Sequence, residues 1–365
     1  MKIQLTANLK RLFSLLPTSV KIGTRRVGKG YPVFVIAEIG NNHNGDFDLA
    51  MQTIKAAKDV GADAVKFQKR DVDIVFTKEM REMSYDNPRS LAPTYGEHRK
   101  KLEFDRDQFV ALKDYAESLG LIFFVTPFDE HSADFLESIG VHAYKISSFD
   151  VSNIPLLEHV AKKGKPILLS TGMSTLDEID HAVETILNHN ERLIINHCTS
   201  IYPTPDADID LNMVAVLKGR YVPLPVGYSG HEPDILATVA SIGLGAHTVE
   251  RHFTLDKTMR GSDHHMSINP VEFAEMVNQI RRLEVILGSA EKTIHDAEVP
   301  IREKHGKSVV AKHSIKAGSV ISAHDLMLKS PGTGIKPVDL DKLLGKVAPI
   351  DVEEDTLLPL EALTW

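Results

Sequence analysis

From Pro32 onward, short runs of aliphatic, aromatic and β-branched residues alternate with longer segments whose apolar positions recur every three to four residues. Runs of the first kind fit strands buried on both faces, and segments of the second kind fit helices with one apolar side. The runs are Val33–Glu38, Ala64–Gln68, Ile122–Thr126, Ala143–Ser147, Pro166–Ser170, Arg192–His197, Leu224–Ser229 and His247–His252. Between them the spacing predicts helices over Phe47–Val60, Asp105–Leu119, Ser132–Ile139, Thr175–His189 and Pro233–Leu244, and a last one over Pro270–Leu287. A strand, helix, strand unit of this length is a right-handed crossover between parallel neighbours. Repeated over roughly 250 residues, the pattern predicts a (β/α)8 TIM barrel, whose chemistry sits at the C-terminal ends of the strands. A doubly wound open sheet is the competing architecture, but no G-x-G-x-x-G follows the first run.

Outside the barrel the pattern changes. Residues 1–31 predict a short amphipathic helix (MKIQLTANLKRLFSLL) and a glycine-punctuated hairpin (VKIGTRRVGKG) that caps the bottom of the barrel. The barrel itself is assigned to residues 32–288. Residues 289–307 are charged and irregular and read as a linker with room for one helical turn. Residues 308–365 carry short β-rich runs and frequent turns, so a small β-dominated module is expected there. Its size is near the lower limit for independent folding, which predicts that it rests on a partner surface.

Composition narrows the function. Hydrophobic residues make up 42% and charged residues 25% of the 365, as in a soluble globular protein. Against 42 basic residues stand 50 acidic ones, a net charge of -8 that argues against nucleic-acid binding. No apolar run approaches the roughly 20 residues of a membrane span, and no cleavage pattern follows the N-terminal stretch. The single cysteine, Cys198, fits a reducing cytoplasm.

The barrel expectation carries its own test, because polar residues should then collect at every strand end. In order the ends offer Glu38 with Asn42, His43 and Asn44; Lys66 and Gln68; Thr126 and Asp129; Lys145, Ser147 and Ser148; Ser170 and Thr171; His197, Thr199, Ser200 and Tyr202; Ser229 and His231; and His252. A single polar residue of this kind is ordinarily a solvated loop side chain; eight strand ends in succession are not. Two lysines, Lys66 and Lys145, set among hydroxyls suit a small polyanion. A Schiff-base lysine is the alternative. His231 and His252 end adjacent predicted strands, so two neutral imidazoles meet in one pocket and suit a divalent transition metal. Asp263, His264 and His265 crowd the following loop.

AEIGNNHNG (Ala37 to Gly45), KFQ (Lys66 to Gln68), TPFD (Thr126 to Asp129), KISS (Lys145 to Ser148), STGM (Ser170 to Met173), HCTSIYPTP (His197 to Pro205), GYSGHE (Gly227 to Glu232) and ERHFTLDKTMRGSDH (Glu250 to His264) together resemble the sialic acid synthase family. The resemblance runs from Val33 to the C-terminus, where GKSVVAKHSIKAGSVI and PGTGI resemble the antifreeze-like SAF module, a β-clip. It implies condensation of phosphoenolpyruvate with an N-acetylated hexosamine such as N-acetylmannosamine, with release of phosphate. It also implies a divalent metal, Mn2+ or Mg2+, and a homodimer in which the SAF module covers the partner's barrel mouth. Carried over residue by residue, His231 and His252 hold the metal; Lys66, Lys145, Thr126, Ser148, Ser170 and Ser229 grip phosphoenolpyruvate. Gln68, Ser200, Tyr202 and Asp263 contact the substrates or the metal's water, and Glu38 orients the water that completes the reaction or instead positions Lys66. A metal-dependent barrel aldolase acting on a related keto sugar acid would share the histidines but not the phosphate grip, and a carbohydrate-binding protein would share only the module.

One departure concerns the sugar. Where many bacterial relatives carry Lys-Arg-Pro-Gly before Thr-Gly-Ile, this chain has Lys329, Ser330, Pro331 and Gly332, so an arginine expected to meet the N-acetyl group is missing. TYGEHRKKLEF (Thr94 to Phe104) and DKTMRGSDH instead resemble the animal-type synthases that use a 6-phosphorylated sugar. Arg99, Lys100, Lys101, Lys257 and Arg260 are the basic residues placed to serve a second phosphate or to be solvated.

Overall fold

Period-two alternation within each run decides what faces what. In a computed structural model describing residues 7–14 and 16–365, one set of alternate strand residues packs against helices and the other against the barrel axis. Met1–Thr6 and Leu15 of the expected N-terminal helix lie outside the described residues; the rest of it forms a helix at Ala7–Phe13. The antiparallel hairpin follows as β1 (Ser19–Ile22) and β2 (Arg25–Gly28). Eight parallel strands then close a barrel: β3 (Phe34–Gly40), β4 (Ala64–Lys69), β5 (Ile122–Pro127), β6 (Tyr144–Ile146), β7 (Ile167–Ser170), β8 (Leu193–Cys198), β9 (Val226–Gly230) and β10 (Thr248–His252). Strand β10 pairs with β3, and every other strand pairs with its neighbours in sequence.

The two faces are distinct clusters. Val35, Ala37, Val65, Phe67, Phe123 and Val125 pack with the surrounding helices in the large core. Phe34, Ile36, Ala64, Ile122, Phe124, Ala143, Leu168 and Ile194 pack with Val20, Ile22 and Val27 of the hairpin, which plugs the N-terminal end of the barrel. Continuing the second set by two or four residues gives Glu38, Lys66, Gln68, Thr126, Lys145, Ser170 and Cys198, and the register of β9 and β10 adds Ser229, Glu250 and His252, Glu250 pairing with Ile36 and Ser229, and His252 with Glu38. The chain thus spends the lower half of the barrel interior on apolar packing and the upper half on chemistry.

Helix ends are signalled locally. Asp46, Asp105, Asp129, Thr175 and Asn269 each accept a backbone N–H of the turn they open. Helices absent from the predicted list include Ile154–Lys162 and Met213–Arg220, and the short Val72–Val75, Lys78–Glu82 and Tyr95–Lys101 between β4 and β5. The last three are too brief to show a helical period. No helix among the described residues is long and apolar enough to cross a membrane.

The chain divides into units Met1–Gly288 and Ser289–Trp365. The second unit opens with a helix at Val299–His305, in the stretch expected to be irregular; none of its residues is buried, so no apolar face advertised it. Strands β11 (Ser308–Ala311) and β12 (Leu326–Lys329) pair antiparallel, and single bridges join Val310 to Leu357, Ile315 to Val352 and Val320 to Val347. Val309, Ala311, Ile315, Ile321, Leu326, Ile335, Leu343, Ala348, Val352, Leu358 and Ala362 form its own core. Ser330 accepts a hydrogen bond from Lys307 Nζ at 3.0 Å and donates to the His305 carbonyl at 3.1 Å.

Candidate active site

A cavity of about 570 Å³ opens at the C-terminal ends of the barrel strands. It is lined by Glu38, Lys66, Lys145, Gln68, Thr126, Ser148, Ser170, Tyr202, Ser229, Asp263, His231 and His252, which is every predicted site residue except Ser200. Ser200 stands behind the wall, against Gly172, where an added Cβ would collide with its Oγ. His197 donates to or accepts from no substrate space either; its Nε2 bonds the Ile209 carbonyl at 2.7 Å. His43 stacks on Phe104 at 4.3 Å, and His264 Nδ1 is 2.7 Å from Thr254 Oγ1, so both are packing residues.

Four charges form the floor. Lys66 Nζ lies 2.9 Å from Glu38 Oε2, 2.9 Å from Thr126 Oγ1 and 3.6 Å from Glu250 Oε1. Lys145 Nζ donates to Glu250 Oε1 at 2.7 Å, and Ser229 Oγ donates to the same oxygen at 3.2 Å. All four charged side chains are nearly excluded from solvent. Ser170 Oγ is buried with no hydrogen-bond partner among the described residues, and Ser148 Oγ accepts the Gly172 N–H at 2.9 Å.

The two carboxylates titrate in opposite directions. Burial pushes the Glu38 pKa above the usual carboxylate range, a rise that Lys66 opposes and Glu250 reinforces. Burial also raises Glu250, but Lys145 and Lys66 outweigh it and hold this group down at about 2. Desolvation lowers the Lys145 pKa. Environments that drive two neighbouring carboxylates apart separate a proton carrier, Glu38, from a fixed negative charge, Glu250.

His231 and His252 face each other across the mouth, ring centroids 5.4 Å apart, with Tyr202 4.1 Å from the first. The loop carrying His231 is pinned by its neighbour Glu232, which takes hydrogen bonds from Tyr228 at 2.9 Å, Thr238 at 2.6 Å and the buried Arg251 at 2.9 Å. Glu232 and Arg251 are therefore scaffold. His231 Nδ1 lies 2.9 Å from the Thr199 carbonyl; donation there leaves the Nε2 lone pair available. Burial lowers the His231 pKa, but Cys198, 4.0 Å away, with the Thr199 carbonyl and Glu250, carries it above the usual imidazole value. Burial holds His252 at about 3, so it is neutral near pH 7, and its Nδ1 is buried with no hydrogen-bond partner, 3.8 Å from Asp263 Oδ2. Two imidazoles of this kind fit a divalent cation. No group of three or more His, Cys, Asp or Glu converges at ligand spacing among the described residues, so the protein would supply two ligands and leave the other positions open.

Among the wall residues not singled out as site residues from the sequence are Glu250, Asn41 and Arg70. Glu250 shares its parity with Thr248 and His252, which is the signal that marks it. Asn41 donates to Asp263 Oδ2 at 3.1 Å. Arg70, one residue past β4, hydrogen-bonds Gln68 Oε1, and Gln68 in turn donates to Glu38 Oε1 at 2.8 Å. Of the basic residues expected at the mouth, Arg99 alone lines the cavity. Lys100 pairs with Asp73 at 2.8 Å, Lys101 donates to the Leu91 carbonyl at 2.8 Å and Lys257 pairs with Glu272 at 2.9 Å.

Comparison with known proteins places the chain in a family. The NeuB family model matches residues 53–292 and the SAF domain model residues 306–364. The N-acetylneuraminate-9-phosphate synthase of Homo sapiens is 41% identical over 332 residues, spanning 91% of this chain and 92% of that protein. The N,N'-diacetyllegionaminic acid synthase of Legionella pneumophila is 39% identical over 342 residues, spanning 92% and 96%. The crystal structure of an N-acetylneuraminic acid synthetase from Leptospira borgpetersenii superposes with a TM-score of 0.70 at 33% identity, covering 78% of this chain and 94% of that one. This chain belongs to the NeuB family, the sialic acid synthase family its motifs resemble, and carries a SAF domain at its C-terminus.

Proposed function

We propose that this protein condenses phosphoenolpyruvate with an N-acetylated hexosamine, N-acetylmannosamine or its 6-phosphate, to give a sialic or related nonulosonic acid and phosphate. The observation that carries the reading is the pair of buried ammonium groups, Lys66 and Lys145, set among Thr126, Ser170 and Ser229 beside a carboxyl group whose pKa is raised. Ammonium groups and hydroxyls answer the phosphate and carboxylate of the enolpyruvate. With Glu38 protonated, Lys66, Lys145 and Glu250 leave one net positive charge to receive that anion.

The methylene carbon of phosphoenolpyruvate attacks the open-chain aldehyde, forming a C–C bond, and the aldehyde oxygen takes a proton. Glu38 is placed to give it. Attack leaves a cationic carbon at C2, which water adds to, and ionised Glu38 takes one of the water's protons; phosphate then departs with the C2–O bond pair and carries off the remaining hydroxyl proton, leaving the keto acid. Glu250 keeps Lys66 and Lys145 charged and aimed throughout. A divalent metal, Mn2+ or Mg2+, held by His231 and His252 would supply Lewis-acid polarisation of the sugar carbonyl. The working form we infer is a cytoplasmic homodimer in which the C-terminal unit of each chain serves its partner. Exposed apolar side chains on that unit, Val338 at 86%, Val320 at 62% and Leu360 at 60%, support an assembly that covers them.

The test is phosphate release from phosphoenolpyruvate across a panel of N-acylated hexosamines with and without a 6-phosphate, before and after exhaustive chelation. Release that needs an N-acetylated hexosamine and is lost on chelation is the expected result. Release unaffected by chelation would remove the metal, and no release with any sugar would remove the synthase.

A further inference from the structure

The cavity wall holds a buried cation aimed at a neutral amide. Arg70, the residue after β4, is 4% exposed, and its guanidinium donates to Gln68 Oε1. Gln68 Nε2 in turn donates to Glu38 Oε1 at 2.8 Å. Glu103 fixes Arg70 at two points: Oε2 accepts the Arg70 backbone N–H at 3.2 Å, and Oε1 lies 3.7 Å from Nε. The guanidinium also lies over the Phe128 ring at 4.5 Å, so it has little room to swing.

This charge is incompletely compensated. Glu103 is shared with Lys69 Nζ at 2.9 Å. Burial, then the charge of Arg99, lowers the Arg70 pKa to about 10, which still leaves the group cationic near neutrality. A desolvated cation with a shared counter-ion costs stability, and what it secures here is the orientation of one amide. A guanidinium has donors and no acceptor, so Gln68 must meet it with Oε1 and must turn Nε2 to Glu38. An unconstrained amide could present either end, its N–H to a carboxylate or its oxygen to a carboxylic acid. The backbone leaves space for the bond: a Cβ on Gly40 would stand 2.9 Å from Glu38 Oε1 and 3.2 Å from Gln68 Nε2. Glu38 Oε2 is buried with no hydrogen bond among the described residues, 2.9 Å from the Lys66 ammonium.

We propose that Arg70 is a positioning residue for Glu38: by holding Gln68 Oε1 it keeps the amide donating to Glu38 Oε1, so that the proton Glu38 gives and takes back is carried on Oε2. The proposal rests on the synthase reading above. In the first transfer the Oε2–H bond breaks and an O–H bond forms on the aldehyde oxygen; the carboxylate left behind is met by the Gln68 N–H and Lys66. In the second, Oε2 takes a proton from water and the acid is restored. Without Arg70 the amide is free to turn its oxygen to the acid and hold the proton back.

The test is a double-mutant cycle read in kcat for phosphate release at saturating substrates, with phosphoenolpyruvate affinity followed by calorimetry. Arg70→Met and Arg70→Gln, which remove the donor-only group, should each lower kcat about tenfold with phosphoenolpyruvate affinity unchanged. Arg70→Lys, which again can only donate, should recover most of that loss. In a Gln68→Leu background, where kcat is already reduced, none of the three should lower it further. Arg70→Gln and Arg70→Lys keep the position polar, so the cycle stays readable should Arg70→Met not fold. Wild-type kcat in Arg70→Gln, or an equal loss with and without Gln68, would overturn the positioning role and leave the synthase standing. No phosphate release by the wild-type chain with any N-acetylated hexosamine would remove both.

Discussion

Glu38 and Glu250 approach the same lysine but differ in what surrounds them. Glu250 meets two ammonium groups and a hydroxyl and stays ionised; Glu38 meets one ammonium and an amide in a dry site and holds its proton more tightly. Glu38→Gln keeps the shape while removing the titratable oxygen, so kcat should fall about 10²- to 10⁴-fold. Phosphoenolpyruvate affinity should move far less, which steady-state kinetics beside calorimetry would resolve. Lys66→Met and Lys145→Met should do the reverse and weaken phosphoenolpyruvate binding about tenfold or more, because each removes a charge-assisted contact. Unchanged binding by calorimetry would reassign both lysines. Most of these side chains were legible because a polar residue two or four positions beyond an apolar inward one must point into the barrel. Glu250 was overlooked because in HTVERH it sits beside Arg251, although its parity with His252 points it inward; Arg251 turns outward to Glu232 while Glu250 turns inward to the lysines.

At the scale of elements, the barrel interior changes character between its apolar floor and its polar top, and β9 marks the join. Gly227 lies where any side chain would run into Thr248 and Asn196, its partners on the two flanking strands, whose side chains hydrogen-bond to each other over it at 2.8 Å. Gly227→Ala should therefore cost about 1–3 kcal/mol and lower Tm by roughly 2–10 °C, read by calorimetry. A variant as stable as wild type would mean that the layer can yield. Gly40 serves the other side of the site: β3 bulges between Glu38 and Gly40, and Gly40 adopts a φ of 53° that places its Cα close beneath the Glu38 carboxylate. All eight strands and six of the barrel helices were legible from period alone, whereas Ile154–Lys162 and Met213–Arg220 were not. The short helices after β4 were not, since Val72–Val75 and Lys78–Glu82 bury one residue between them.

The whole molecule consists of two units, each with a core of its own. Deleting Ser289–Trp365 should leave a folded barrel, with phosphoenolpyruvate binding retained and turnover reduced if the C-terminal unit serves its partner. Mixing that truncation with a full-length His231→Ala, His252→Ala chain should then recover part of the activity; no recovery in proven heterodimers would reject the exchange. The claim on which everything else depends is that the barrel uses an enol phosphate, where an aldolase on the same histidine pair would use pyruvate. The most direct measurement is mass-spectrometric yield of the nine-carbon keto acid, alongside released phosphate, with phosphoenolpyruvate or pyruvate as the three-carbon partner and N-acetylmannosamine or its 6-phosphate as the acceptor. The account predicts one phosphate per keto acid from phosphoenolpyruvate and no product from pyruvate, whereas product from pyruvate, or keto acid without matching phosphate, would contradict it.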